Sequence, residues 1–173
     1  MKKFAVLFAS MFIFAIAVQN VNAQNPISAS AATEATIITP LAITKNVDLN
    51  FGNIVAAASA GTVTVSPAGA RTKSGDVVLP AATPGTISAA KFTVTGLANA
   101  TYSITVPGTF NITRASGSET MAVSAFVTNP TPTGVLTGGS QELFVGATVA
   151  VGANQAAGVY TNPNALVITV AYN

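Results

Sequence analysis

Ala165-Leu166-Val167-Ile168-Thr169-Val170-Ala171-Tyr172-Asn173 closes the chain, and its reading decides the fold. Leu166, Ile168, Val170 and Tyr172 recur at period two and would share one face of a β-strand. Val167, Thr169 and Ala171 would share the other. Both faces are mostly apolar, so the strand is expected inside a sandwich rather than on its surface. Nothing follows it to form a hairpin. Its partner is therefore expected from earlier in the chain or from another chain.

Working outward, the same alternation recurs upstream. Expected strands are Thr36–Ile43, bent at Pro40, and Val47–Ile54, with Leu49 and Phe51 on one side. Next come Gly61–Ser66, with Val63 and Val65 inward, and the short Asp76–Leu79. Ala90–Gly96 points Phe92 and Val94 in, and Tyr102–Val106 and Phe110–Thr113 follow. Thr120–Thr128 would place Met121, Val123, Ala125 and Val127 on one face. Glu142–Val151 is expected to bulge at Gly146, because glycine inside a strand pattern marks a bulge or a close backbone approach. Residues 129–140 are rich in Pro, Gly and Thr and read as a loop. No amphipathic helix is found. These features predict an all-β fold, an immunoglobulin-like, pilin-like antiparallel sandwich of about nine or ten strands.

The N-terminus reads differently. Lys2 and Lys3 precede an apolar run from Phe4 to Val18, and Val21-Asn22-Ala23 has the small-residue pattern of a processing site. This predicts a signal peptide over residues 1–23, cleaved between Ala23 and Gln24. A flexible extension over residues 24–35 and a single domain over 36–173 would follow. The protein is then exported, to the periplasm, the cell surface or the medium, with no membrane span once the signal is removed. Lipid attachment at the processing site would need a cysteine, and the chain has none.

Charge supports few partner classes. The formal charge of +2 rests on Lys2 and Lys3, which leave with the signal. What remains is Lys45, Arg71, Lys73, Lys91 and Arg114 against Glu34, Asp48, Asp76, Glu119 and Glu142, a balanced set. No basic patch is left for counter-ion release, so nucleic acid is not expected as a partner. Charged residues make up 7% of the chain, against roughly 25% in ordinary domains. A surface so weakly charged lacks the usual guard against association and suits a protein that assembles.

Catalytic chemistry finds little to use. With no His and no Cys, the Ser-His-Asp and Cys-His arrangements and the common zinc sites are absent. A Ser-Lys pair at Lys73-Ser74 would point to opposite faces of a strand. The five carboxylates are scattered rather than paired, which argues against a glycosidase dyad. Asn46, Asp48 and Asn50 could offer oxygens to calcium, but they read better as a turn and the polar face of a strand. Phe51, Phe92, Tyr102, Phe126 and Phe144 mostly alternate with polar neighbours as core residues do, and no Trp is present to build a sugar platform. No catalytic, cofactor or metal residue is assigned, and the protein is expected not to be an enzyme.

The landmarks Leu49-Asn50-Phe51-Gly52, Gly61-Thr62-Val63-Thr64-Val65, Phe92-Thr93-Val94-Thr95-Gly96 and Tyr102-Ser103-Ile104-Thr105-Val106-Pro107 resemble a family of secreted bacterial domains of unknown function. Phe144-Val145-Gly146-Ala147, Gly158-Val159-Tyr160 and Val167 to Asn173 continue the likeness. More distantly, Gly158, Tyr160 and the penultimate Tyr172 are similar to the ends of spore-coat-U-like and chaperone–usher pilin domains. That likeness implies a fold completed by a strand donated from a neighbouring subunit. On it, Leu166, Ile168, Val170 and Tyr172 would wall a strand-addition groove. The donor would come from Gln24–Ile38 of another copy or a related subunit, and a periplasmic chaperone would be a further partner. The expected role is a structural or adhesive surface protein of fimbrial type. The alternative is a stand-alone module that binds a glycan or another surface ligand.

Overall fold

The computed structural model describes residues 26–173; the expected signal segment and its processing site at Ala23 and Gln24 lie outside the described residues. Residues 26–36 have no regular secondary structure and are exposed. The unit Ile37–Asn173 holds the strands, and all its strand pairs are antiparallel.

The strands are β1 (Ala42–Val47), β2 (Asn50–Phe51), β3 (Gly61–Val65), β4 (Arg71–Gly75), β5 (Ile87–Ser88), β6 (Ala90–Thr95) and β7 (Thr101–Thr105). They continue with β8 (Phe110–Arg114), β9 (Thr120–Asn129), β10 (Thr133–Val135), β11 (Ser140–Val151), β12 (Tyr160–Thr161) and β13 (Thr169–Tyr172). A single 3-10 turn, Thr137–Gly139, is the one helical element among the described residues. The all-β antiparallel class is as the sequence predicts. The strand count is higher, because short strands such as β2, β5, β10 and β12 pair within stretches that read as loops or longer strands.

One layer is continuous. Its order is β1-β6-β11-β9-β8-β12, with β3 also beside β11 and β4 beyond β3. The facing layer is in two pieces, β10-β7-β13 and the β2-β5 pair, the latter extended by a bridge between Val55 and Val78. Each piece covers its own core. Ala90, Phe92, Val94, Leu143 and Val145 of the large sheet meet Tyr102, Leu136 and Ile168 under the first piece. Val63, Val123, Ala147, Val149 and Val151 meet Val77 near the second, with Phe51, Ile54 and Leu79 packed against them. Leu49 and Phe126 touch both clusters and join them. Tyr102, fully buried, ties the layers further: its hydroxyl donates to Gln141 Oε1 at 3.0 Å, and the same oxygen accepts the Val135 N–H at 2.8 Å. Burial pushes the Tyr102 phenol upward, so it stays a neutral donor.

β11 is the axis of this arrangement. Leu143, Val145, Ala147, Val149 and Val151 are all buried in unbroken alternation. Along one edge, Ser140 to Val145 pair with β6 and Ala147 to Val151 pair with β3. The neighbour changes at Gly146. A Cβ there would strike the Val65 carbonyl and lie 2.7 Å from Ser66 C and 2.8 Å from Pro67 N. Gly146 is thus a close-approach glycine and not the bulge that its place in the strand suggests.

The bulge is on the opposite strand. Gly146 faces Val127 and Thr148 faces Ser124, so β9 spends two residues, Ala125 and Phe126, against the single Ala147. Ala125 takes φ 51°, the left-handed conformation a bulge uses. The extra residue reverses the faces. Met121 and Val123 lie inward before it, Phe126 and the buried Thr128 after it, and Val127 turns out to solvent. The expected common face of Met121, Val123, Ala125 and Val127 is therefore broken after Val123.

The two chain-terminal expectations also change. The first strand begins at Ala42 rather than Thr36, because its partner β6 ends at Thr95, opposite Ala42. Residues before Ala42 have no partner backbone to meet, and Pro40 has no N–H to give. The last strand is shortened to Thr169–Tyr172 because β7 ends at Thr105, opposite Thr169. Beyond Thr105 the register would set Val167 against Pro107, which cannot donate.

Two substitutions test this account. Gly146→Ala should cost about 1–3 kcal/mol, the range for forcing extra atoms into a packed site. Val127→Ala should stay within about 0.5 kcal/mol, as surface changes do. Urea denaturation of both variants measures the difference, and a costly Val127→Ala would contradict the face reversal at Ala125.

Candidate functional site

The edges of the layers decide where a partner strand can add. β13 has β7 on one side and no strand on the other among the described residues. Its ladder has a fixed parity: the Asn173 N–H donates to the Thr101 carbonyl at 3.3 Å. Alternate residues of an antiparallel strand turn their amides to the same neighbour. Thr169 and Ala171 therefore face β7, and Ser103 Oγ donates to the Ala171 carbonyl at 3.2 Å. Val170 and Tyr172 turn their N–H and C=O groups to the open edge.

The side chains are divided just as sharply. Ile168 is buried, and Leu166, Val170 and Tyr172 are partly buried against the first core cluster. Val167 is 60% exposed, and Thr169 and Ala171 are exposed as well. The expectation of a strand covered on both faces is thus corrected. β13 is an edge strand with one wet face, and its length is limited by Pro107 on the neighbouring chain segment. Leu166, Ile168, Val170 and Tyr172 do line one face together, and that face already rests on the chain's own core.

Tyr172 does more than pack. Its hydroxyl accepts the Leu97 N–H at 2.7 Å and donates to the Thr39 carbonyl at 2.8 Å. Leu97 opens the turn after β6, and Thr39 lies three residues before β1. The final residue of the last strand thus joins three separate segments. A Cβ at Gly96 would overlap the hydroxyl oxygen and approach Leu136 Cδ1 at 3.0 Å and Leu41 Cδ1 at 3.1 Å. The glycine of Phe92-Thr93-Val94-Thr95-Gly96 makes room for the tyrosine. Sequence reasoning picked out both residues but did not connect them, since no local pattern links positions so far apart.

Several other polar side chains of the domain have structural partners. Asn46 Oδ1 accepts from Thr93 Oγ1, Asp48 pairs with Lys45, and Asn50 Oδ1 accepts the Gly52 N–H. These three side chains, the calcium candidate, therefore aim at separate partners. Lys73 and Ser74 sit on β4 opposite Val63 and Thr62, on alternate faces of the strand. One Arg71 nitrogen donates to the carbonyls of Phe51 and Asn53, each at 3.0 Å, and pins the loop beyond β2. Lys91 pairs with Glu142 and lies 5.5 Å from the centre of the Phe144 ring. Among the described residues no group of three or more acidic, His or Cys side chains is placed to hold a metal ion. No helix among them is long and apolar enough to cross a membrane.

At the β8–β9 tip, Arg114 grips Glu119 in two bonds, Nε to Oε2 at 2.7 Å and Nη2 to Oε1 at 3.1 Å. Arg114 also donates to the Ala157 carbonyl, and so holds the loop before β12. The Glu119 carboxyl is held below its ordinary value of 4.5, first by its own backbone N–H and then by Arg114, against the opposing effect of burial.

The fold is an antiparallel β-sandwich whose last strand leaves one edge free. The chain belongs to the family described as a domain of unknown function (DUF4402), whose model matches residues 41–172. No curated protein and no solved structure matches it.

A folded carboxyl held below its unfolded pKa contributes fully above the unfolded value and loses its contribution as pH falls through the folded one. Acidification below pH 4.5 should therefore loosen the Arg114–Glu119 tip first. Faster amide exchange at Arg114 and Ala115 would report it, and Glu119→Gln should remove that dependence on pH.

Proposed function

We propose that this protein is an exported, non-enzymatic structural or adhesive surface protein, a fimbrial-type subunit that assembles by strand addition. One observation carries the reading: an unpaired strand edge and an exposed N-terminal segment with no strand partner occur in the same chain. The open edge of β13 offers the backbone groups of Val170 and Tyr172. Residues 26–40 form no ladder, and Ile27 and Ile37 are 99% and 98% exposed. Free edges invite another chain, and proteins that do not use them usually blunt them with charge or Pro. β13 carries neither.

In this reading the segment Gln24–Ile38 of one copy pairs with the β13 edge of the next. Backbone hydrogen bonds supply affinity and alternate side chains supply register. Residues 24–173 carry few charges, balanced in sign, and so place little repulsion between copies. A periplasmic chaperone would cover the edge before assembly.

A second reading is a stand-alone extracellular module for a glycan or another surface ligand. It is favoured by the closed core, since Ile168, just before the last strand, is already buried under its own sheet.

Size-exclusion chromatography separates the two. The mature chain should form oligomers that disappear on deletion of Gln24–Ala32, with the thermal transition of the domain kept. Oligomers that survive the deletion would sink strand addition. A monomer at every concentration would favour the stand-alone module.

A further inference from the structure

Two edges flank the first core cluster on the same side of the sandwich. β1 is the edge of the large layer and contributes Ile43, with Leu41 just before it; β13 is the edge of the small layer and contributes Val170 and Tyr172. The Tyr172 hydroxyl crosses between them to Thr39. Among the described residues no backbone hydrogen bond holds residues 37–40, so this phenol is the polar tie between that segment and the last strand. The same oxygen is fixed from behind by the Leu97 N–H. A hydroxyl with one donor and one acceptor partner is saturated along both directions and points one way. The contact is also partly exposed, with Ile38 beside it half in solvent, so it can open without disturbing the buried core.

We propose that this contact is a clasp controlling assembly: Tyr172 holds the segment before β1 across the seam, and the donor segment of a second copy reaches the β13 edge only when the clasp opens. The proposal rests on the strand-addition reading and adds a regulated entry step to it. The closed monomer is then autoinhibited by its own N-terminal approach to β1. Donor entry replaces one side-chain hydrogen bond with backbone bonds to Val170 and Tyr172. Gly96 belongs to the device, because any side chain there would displace the hydroxyl.

The test uses the mature chain, Tyr172→Phe, the deletion of Gln24–Ala32, and the deletion combined with Tyr172→Phe, in a concentration series by analytical ultracentrifugation. Tyr172→Phe keeps the ring in the core and removes only the hydroxyl. A hydrogen bond of ordinary net strength predicts assembly at about fivefold lower concentration, and faster proteolysis within residues 37–40. The combined variant should be monomeric. Wild-type-like assembly of Tyr172→Phe, with the deletion monomeric, would overturn the clasp and leave strand addition standing. Oligomers unaffected by the deletion, or monomers in every sample, would overturn both. If Tyr172→Phe fails to fold, Gly96→Ala, which displaces the hydroxyl from the other side, is expected to lower the assembly concentration in the same way, and wild-type-like assembly of Gly96→Ala would overturn the clasp.

Discussion

The structure depends on the passage of two backbones at Gly146. One long strand, β11, has to serve two neighbours along a single edge, β6 first and β3 after. At the change of neighbour the end of β3 comes so close that a methyl group would overlap it. The absence of a side chain at one position lets the large layer be continuous while its partners are not. The cost is met on the other edge of β11. There Ala125 absorbs the mismatch as a bulge, with a backbone conformation that L-residues avoid. Val63, Val149 and Val123 then stand side by side across β3, β11 and β9, and the second core is built on that alignment.

The divided second layer explains the shape of the candidate edge. Its larger piece has only three strands, and β7 is its centre. β7 is short because Val106-Pro107-Gly108 ends it, and that limits β13 in turn. A sandwich with a complete second layer would bury its last strand between two neighbours. Here the last strand has one neighbour, and a single phenol spans the remaining gap. Structural stability and the availability of an edge are set by the same few residues.

How much of this was legible beforehand follows from where side chains do the specifying. β3 and β6 are readable because Val63, Val65, Phe92 and Val94 alternate with polar residues, and β11 because Leu143, Val145, Val149 and Val151 recur at period two. β4 was invisible, since Arg71-Thr72-Lys73-Ser74 has no apolar alternation and is held by backbone pairing with β3. β10 and β12 hide in turn-rich sequence for the same reason. The bulge lies on the strand opposite the one the sequence points to: Gly146 shows itself by composition, whereas Ala125 looks like any other strand alanine. At the candidate site, the alternating face of Leu166, Ile168, Val170 and Tyr172 was readable, and its solvent-facing reverse was not. Val167 is apolar yet exposed, because what covers a strand is a property of the neighbouring sheet. The Tyr172–Thr39 contact joins the two ends of the domain, and no local sequence rule reaches that far.

The position of β11 in the chain has a consequence for the order in which the molecule can become whole. A chain that appears from its N-terminus presents β3 and β6 long before the strand that must sit beside both. Until residues 140–151 arrive, β3 has β4 alone and β6 has β1 alone, and each pair has one unsatisfied side. β3, β6 and β9 can be joined only once that segment is present, and β12 adds beside β8 later still. Any helper that shields nascent edges is needed most during that interval, and a ribosome pause or truncation before Ser140 would leave the β3–β4 and β1–β6 pairs with nothing between them.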